Sequence, residues 1–275
     1  MAIIILMIAI SCNNFAYRQT NRMYKKHTKE LVKQIVAKPT EFNSMIPVDS
    51  LTILEVPAPT WVGTTNFDLR KPNFVVIHHT AQNSCEQTLK TFTLERTKVS
   101  AHYVICKDGT VHHMLNDYMR AWHGGVAKWG NNTDLNSSTI GIELDNDGYE
   151  PFDPRQISAL EGVLGALKLK YNIPEANFIG HGDIAPKRKV DPNVNFPWQQ
   201  LAAKGFGNWF EPNDSVSLPT SISIPYALAL VGYDIKDTTA AIRAFKRHFR
   251  QDSTQVITEL DKSVLAQLIQ AKLMK

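Results

Sequence analysis

The chain has 275 residues, 43% of them hydrophobic and 20% charged, which is ordinary for a folded soluble protein and long enough for one good-sized core plus a smaller domain. A net charge of +4 is mild; nucleic-acid binders show a concentrated basic patch, so no nucleic-acid partner is expected, and the chain is read as a monomer. The three cysteines, Cys12, Cys85 and Cys106, form no Cys-x-x-Cys pair, which excludes a four-cysteine zinc site and a thioredoxin-like motif.

Ala2 to Ile10 is an unbroken apolar run ended by Ser11. It is too short to span a bilayer and reads as the core of a signal peptide over residues 1–12. Ala9-Ile10-Ser11-Cys12 resembles a bacterial lipobox, in which Cys12 would be lipidated and become the first mature residue. Ala9 stands where Leu or Val is usual and no Lys or Arg precedes the run, so a non-lipidated signal peptide or a signal anchor is the rival reading. Several acyl groups would anchor the chain stably to a membrane.

Residues 13–59 read as a tether. Arg18, Arg22, Lys25, Lys26, Lys29 and Lys33 recur among Tyr24, Leu31 and Ile35, which predicts a helix with a solvated basic face. Pro39, Pro47, Pro57, Pro59 and Pro72 predict irregular, extended chain over 38–72.

The main domain is bounded at 60–210. Phe74-Val75-Val76-Ile77 is a continuous apolar run, as in a strand buried on both faces. Ser84 with Gln87 makes a capping-box pattern, so a helix begins at Cys85. Lys107-Asp108-Gly109-Thr110 separates Tyr103–Cys106 from Val111–Met114, a hairpin signal. Thr139 to Leu144 alternates as a strand. Asp153-Pro154 opens a helix with Ile157, Leu160, Leu164 and Leu167 on one face, ended by Pro174. Asn177 to Gly180 is a last strand.

Interleaved strands and helices argue for an α/β fold, a mixed central sheet flanked by helices. Residues 211–221 are a polar linker, and 222–275 fit a small three-helix bundle. Its middle helix, Asp237 to Arg250, places Ile242, Phe245 and Phe249 on one face, with the aromatics as core. Cys85 and Cys106 either pair, if the protein is exported, or remain two free, buried side chains; the second is the preferred reading.

His78 and His79 end the first buried strand, His181 follows the last, and Asp191 comes ten residues later. Two imidazoles and one carboxylate would leave a fourth tetrahedral position open, as catalytic zinc sites do. Spacing alone does not single this set out from nine histidines. No His-Glu-x-x-His occurs, which removes the common zinc-peptidase pattern.

Four motifs in order carry more. Val76-Ile77-His78-His79-Thr80-Ala81, Ala121-Trp122-His123-Gly124-Gly125, Thr139-Ile140-Gly141-Ile142-Glu143-Leu144 and His181-Gly182-Asp183-Ile184 through Lys189-Val190-Asp191-Pro192 closely resemble the family 2 N-acetylmuramoyl-L-alanine amidases, which share the peptidoglycan-recognition-protein fold. The resemblance covers roughly residues 60–210. Gly232-Tyr233-Asp234 with Ala241 to Arg250 resembles a small peptidoglycan-binding helical module, and the three parts together resemble outer-membrane amidase lipoproteins facing the periplasm.

The resemblance implies Zn2+ held by His78, His181 and Asp191, with Glu143 and Lys189 catalytic, and peptidoglycan or muropeptides as substrate. The chemistry agrees with these roles. Zinc lowers the pKa of water toward about 7, Glu143 takes a proton from water and passes it to the leaving amine, and Lys189 stabilises the oxyanion. Trp122 and His123 either line the substrate groove or form a packed aromatic corner. His79 is read as structural, since side chains alternate along a strand. Asp183 is the rival carboxylate to Asp191 and more readily satisfies backbone donors in its loop. Lys187 and Arg188 are either solvated or meet stem-peptide carboxylates. Non-catalytic receptors on the same fold, or a cell-wall tether, are the rival functions; receptors typically lack a full metal set, which is present here.

Overall fold

The computed structural model describes residues 17–36, 45–47, 53–55, 64–211 and 216–274. The signal-peptide reading and Cys12 lie outside the described residues. The chain divides between Asp68 and Leu69 into two compact units. In the first, α1 (Arg18–Val36) is the expected basic helix and buries no residue. Within the stretch read as irregular, β1 (Met45–Pro47) pairs antiparallel with β2 (Ile53–Glu55). Proline is tolerated there because it stands at a strand end. No described helix is long and apolar enough to cross a membrane.

The second unit is built on a five-stranded sheet of β3 (Phe74–His79), β4 (Tyr103–Ile105), β5 (Val111–His113), β6 (Thr139–Leu144) and β7 (Phe178–Gly180), in the order β5-β4-β6-β3-β7. β3 runs parallel to β6 and β7, β6 parallel to β4, and the hairpin β4–β5 is antiparallel, so the sheet is mixed as expected. Gly109 closes the hairpin at φ +88°, in the left-handed region that favours glycine.

Alternation decides what each sheet face does. Val75, Ile77, Ile140, Ile142 and Leu144 pack with Leu160 and Leu164 of α4 (Pro154–Tyr171) in the main core. The opposite face carries Val76, His78, Gly141, Glu143 and Ile179, and a smaller cluster of Val76, Leu135 on the one-turn helix α3 (Leu135–Ser138), Ile179 and Ile184 covers its apolar part. Asp153 caps α4 by accepting from the Arg155 amide, with Pro154 in the first turn. Ser84 likewise caps α2 (Cys85–Thr93).

Cys85 and Cys106 are joined in a disulfide, which corrects the expectation of two free side chains. Cys85 is buried and Cys106 half-buried, and only folding brings the start of α2 to the end of β4. Closing a loop of 21 residues constrains the unfolded chain, so replacing both cysteines with serine should cost about 3 kcal/mol in denaturant unfolding.

Asp117 ties β4 to α4. It accepts from the Tyr103 hydroxyl at 2.8 Å, the Tyr171 hydroxyl at 2.7 Å and Lys170 Nζ at 3.2 Å. Burial works against its ionisation, yet the bonds from Tyr171, Tyr103 and Lys170 hold its pKa below the ordinary 3.8. Because the folded pKa is the lower one, the stabilisation is present above pH 3.8 and is lost as pH falls below it. An Asp117→Asn variant should therefore be less stable at pH 7, by about 1–3 kcal/mol. Its acid-unfolding curve should fall less steeply than the parent's in that window.

α6 (Trp198–Ala202) adds Trp198 and Leu201 to the main core and precedes the C-terminal helices α7 (Ile224–Val231), α8 (Thr238–Arg250) and α9 (Glu259–Leu273). Phe245 and Phe249 enter their core with Leu228, Leu265 and Leu268, and Ile242 packs at its edge. These helices belong to the same compact unit as the sheet.

Candidate active site

The parallel register between β3 and β6 sets His78 beside Glu143 on one sheet face. β7 ends at Gly180, and the one-turn helix α5 (His181–Ile184) begins with His181. The chain then returns so that the Asp191 carbonyl accepts from the Gly182 amide at 2.6 Å. Three side chains thereby meet. Nδ1 of His78 lies 2.9 Å from Nδ1 of His181, and Asp191 Oδ2 lies 3.1 Å and 3.0 Å from them. All three residues are buried.

The far nitrogens of both rings are already used. His181 Nε2 is 3.1 Å from the Gly124 carbonyl, which only accepts, so Nε2 donates and Nδ1 is the nitrogen turned toward the other two side chains. His78 Nε2 is 3.0 Å from His123 Nδ1, and His123 Nε2 is 3.0 Å from the Thr139 hydroxyl. Donation in that direction leaves His78 Nδ1 a lone pair. Burial, then the neighbouring His181, push the His78 pKa down to about 4, keeping the ring neutral. Two imidazoles, each held through its far nitrogen, converge with one carboxylate and fit a divalent metal ion.

Glu143 is half-buried, with Oε1 4.0 Å from His78 Nδ1 and the buried Oε2 without a partner among the described residues. Burial, then Asp191, push its pKa up to about 8, opposed by Lys189. The half-buried Lys189 lines the same cleft, which has a volume of about 410 Å³. Trp122 stands half-exposed at the rim. His123 lines the cleft too, but is buried and hydrogen-bonded to His78. Arg188 Nη2 donates to the Gly124 carbonyl at 2.7 Å, bracing the loop against which His181 leans. Asp183 does not join the metal-type cluster, since its oxygens are bonded elsewhere.

Gly141, Thr139 and Asn136 escaped the sequence reading as parts of the site. A Cβ on Gly141 would lie 2.4 Å from the His123 ring, so the ring reaches His78 only because that position is glycine. Asn136 Oδ1 accepts from the amides of His123 and Gly124. A Gly141→Ala variant should lose about 1–3 kcal/mol of stability through overpacking. It should also bind metal about tenfold more weakly in chelator competition, because His78 loses its support.

The sequence profile of the family described as N-acetylmuramoyl-L-alanine amidase matches residues 68–194. The chain is 33% identical over 210 residues to the N-acetylmuramoyl-L-alanine amidase AmiD of Escherichia coli (strain K12), covering 64% of this chain and 74% of that protein. It is 36% identical over 104 residues to the 1,6-anhydro-N-acetylmuramyl-L-alanine amidase AmpD of Haemophilus influenzae, which spans 38% of this chain and 56% of that protein. Among solved structures, the Escherichia coli AmiD complex with anhydro-N-acetylmuramic acid-L-Ala-D-gamma-Glu-L-Lys superposes with a TM-score of 0.67 at 27% identity, covering 83% of this chain and 98% of that one. AmpDh3 of Pseudomonas aeruginosa shares the fold, with a TM-score of 0.65 at 23% identity over 84% of this chain and 100% of that one.

Proposed function

This chain belongs to the N-acetylmuramoyl-L-alanine amidases, hydrolases of the bond between N-acetylmuramic acid and L-alanine, and on that premise we propose that it cuts peptidoglycan or muropeptides at a zinc centre formed by His78, His181 and Asp191. The observation that carries this reading is the convergence of those three donors within about 3 Å of one another beside the half-buried Glu143. When bound, zinc supplies Lewis-acid polarisation of the amide carbonyl and acidifies water.

The protein's own groups do the rest. Glu143, ionised when a bound divalent cation offsets the charge of Asp191 and with one carboxylate oxygen free, takes a proton from the attacking water and hands it to the departing L-alanine amine. Lys189 brings a positive charge into the cleft where the oxyanion develops. Trp122 offers an exposed ring at the rim for the substrate to lie against. His123 contributes from the floor, holding His78 in place. The Cys85–Cys106 disulfide supports a cell-envelope location, because such bonds persist in oxidising compartments. Lipidation at Cys12 and attachment to the outer membrane complete the reading.

The test is mass spectrometry of muropeptides incubated with the protein, with zinc and with chelator. Zinc-dependent release of stem peptide beginning with L-alanine is expected. Intact muropeptides under both conditions, from folded and zinc-loaded protein, would replace the amidase with a peptidoglycan receptor.

A further inference from the structure

The C-terminal helices reach the reaction centre through one buried carboxylate. Asp183 is the third residue of α5, whose first residue is His181. Its Oδ2 accepts from the Gly180 amide at 2.7 Å, closing the turn that starts α5. The same Oδ2 lies 2.7 Å from His248 Nδ1 on α8, and Oδ1 accepts from the Tyr233 hydroxyl, just after α7, at 2.9 Å. Asp183, Tyr233 and His248 are all at least nine-tenths buried.

The two partners are themselves held. The His248 ring stacks on Trp198 at 3.8 Å and on Phe249 at 4.2 Å. The Tyr233 ring packs edge-on against Trp129 at 5.0 Å. Arg247, next to His248 on α8, lies against Gly182, where an added Cβ would come within 3.0 Å of its guanidinium. Gly182 is the residue whose amide donates to the Asp191 carbonyl. Helix α8 therefore abuts the segment carrying two of the three candidate ligands.

The geometry points to Tyr233 and His248 as positioning residues for metal binding, acting through Asp183 to fix the turn that aims His181 at the metal. This inference rests on the zinc centre proposed above. It gives the C-terminal helices a part in building the reaction centre, beyond any role in holding the protein on the wall. A buried carboxylate needs its donors; removing one leaves charge uncompensated and lets the turn relax. His181 Nδ1 must meet two other donors at about 3 Å, so small rotations at α5 are felt directly as lost affinity.

The experiment compares zinc affinity, by competition with a chromophoric chelator, in the parent, Tyr233→Phe and His248→Phe, alongside kcat, KM and melting of the metal-free protein. Phenylalanine keeps both ring stacks, and Tyr233→Phe removes a single hydroxyl, so at least that variant stays folded. Each variant should bind zinc about 10- to 100-fold more weakly, with kcat at limiting zinc lowered and KM unchanged. His248→Asn, whose amide N–H can stand in for Nδ1–H, should recover most of the affinity. Unchanged zinc affinity in both phenylalanine variants, with only the metal-free melting temperature lowered, would overturn the inference and leave these residues as packing. A folded parent that binds no zinc would overturn the proposed centre, and this inference with it.

Discussion

Glu143→Gln should lower turnover of muropeptides about 10³-fold while zinc content stays at the parent level. The substitution keeps shape and removes only the ability to take up a proton. Glu143 lies on β6 beside His78 on β3, with Oε1 4.0 Å from His78 Nδ1, outside bonding distance of the converging donors. The other oxygen, Oε2, is buried with no partner among the described residues, which is costly unless something arrives to use it. An attacking water and then the leaving amine are what the reaction brings there. Metal content by atomic absorption and product release by mass spectrometry separate the roles: turnover retained would remove Glu143 as the base, and zinc lost would make it a ligand.

Asp191→Ala should weaken zinc binding roughly 10³-fold, since a binding free energy of about 10–16 kcal/mol is shared among a few donors. Asp191 Oδ2 is the one oxygen among the three converging atoms and the one charge offsetting a divalent ion. Loss of activity should follow loss of metal and be partly restored by excess zinc. Asp183 stands two residues from His181 but cannot take over, because Gly180, Tyr233 and His248 occupy its oxygens. Unchanged zinc affinity in Asp191→Ala would mean that the Asp183 network opens to supply the carboxylate.

Much of the fold was legible because its signals are local. The apolar run at Phe74–Ile77, the Asp108-Gly109 turn, the Asp153-Pro154 helix start and the C-terminal periodicity each act over a few residues, and the corresponding elements form. Where signals compete locally, the reading failed: proline density suggested no structure over 38–72, yet Met45–Pro47 and Ile53–Glu55 pair. The pairing of Cys85 with Cys106 was open in the sequence and closed by the approach of α2 to β4.

For the candidate site, the four ordered motifs and the family they resemble, rather than spacing, brought forward His78, His181, Asp191 and Glu143 as candidates. Tertiary structure alone decided that His78 faces Glu143, because that depends on strand register. It also decided that His123 sits beneath Gly141 as a support for His78, because that depends on a missing Cβ. The reach of Tyr233 and His248 to Asp183 spans 50 and 65 residues of chain. No periodicity or spacing encodes a contact of that separation; it arises only when two packed layers bring their buried polar groups face to face and each must find a partner.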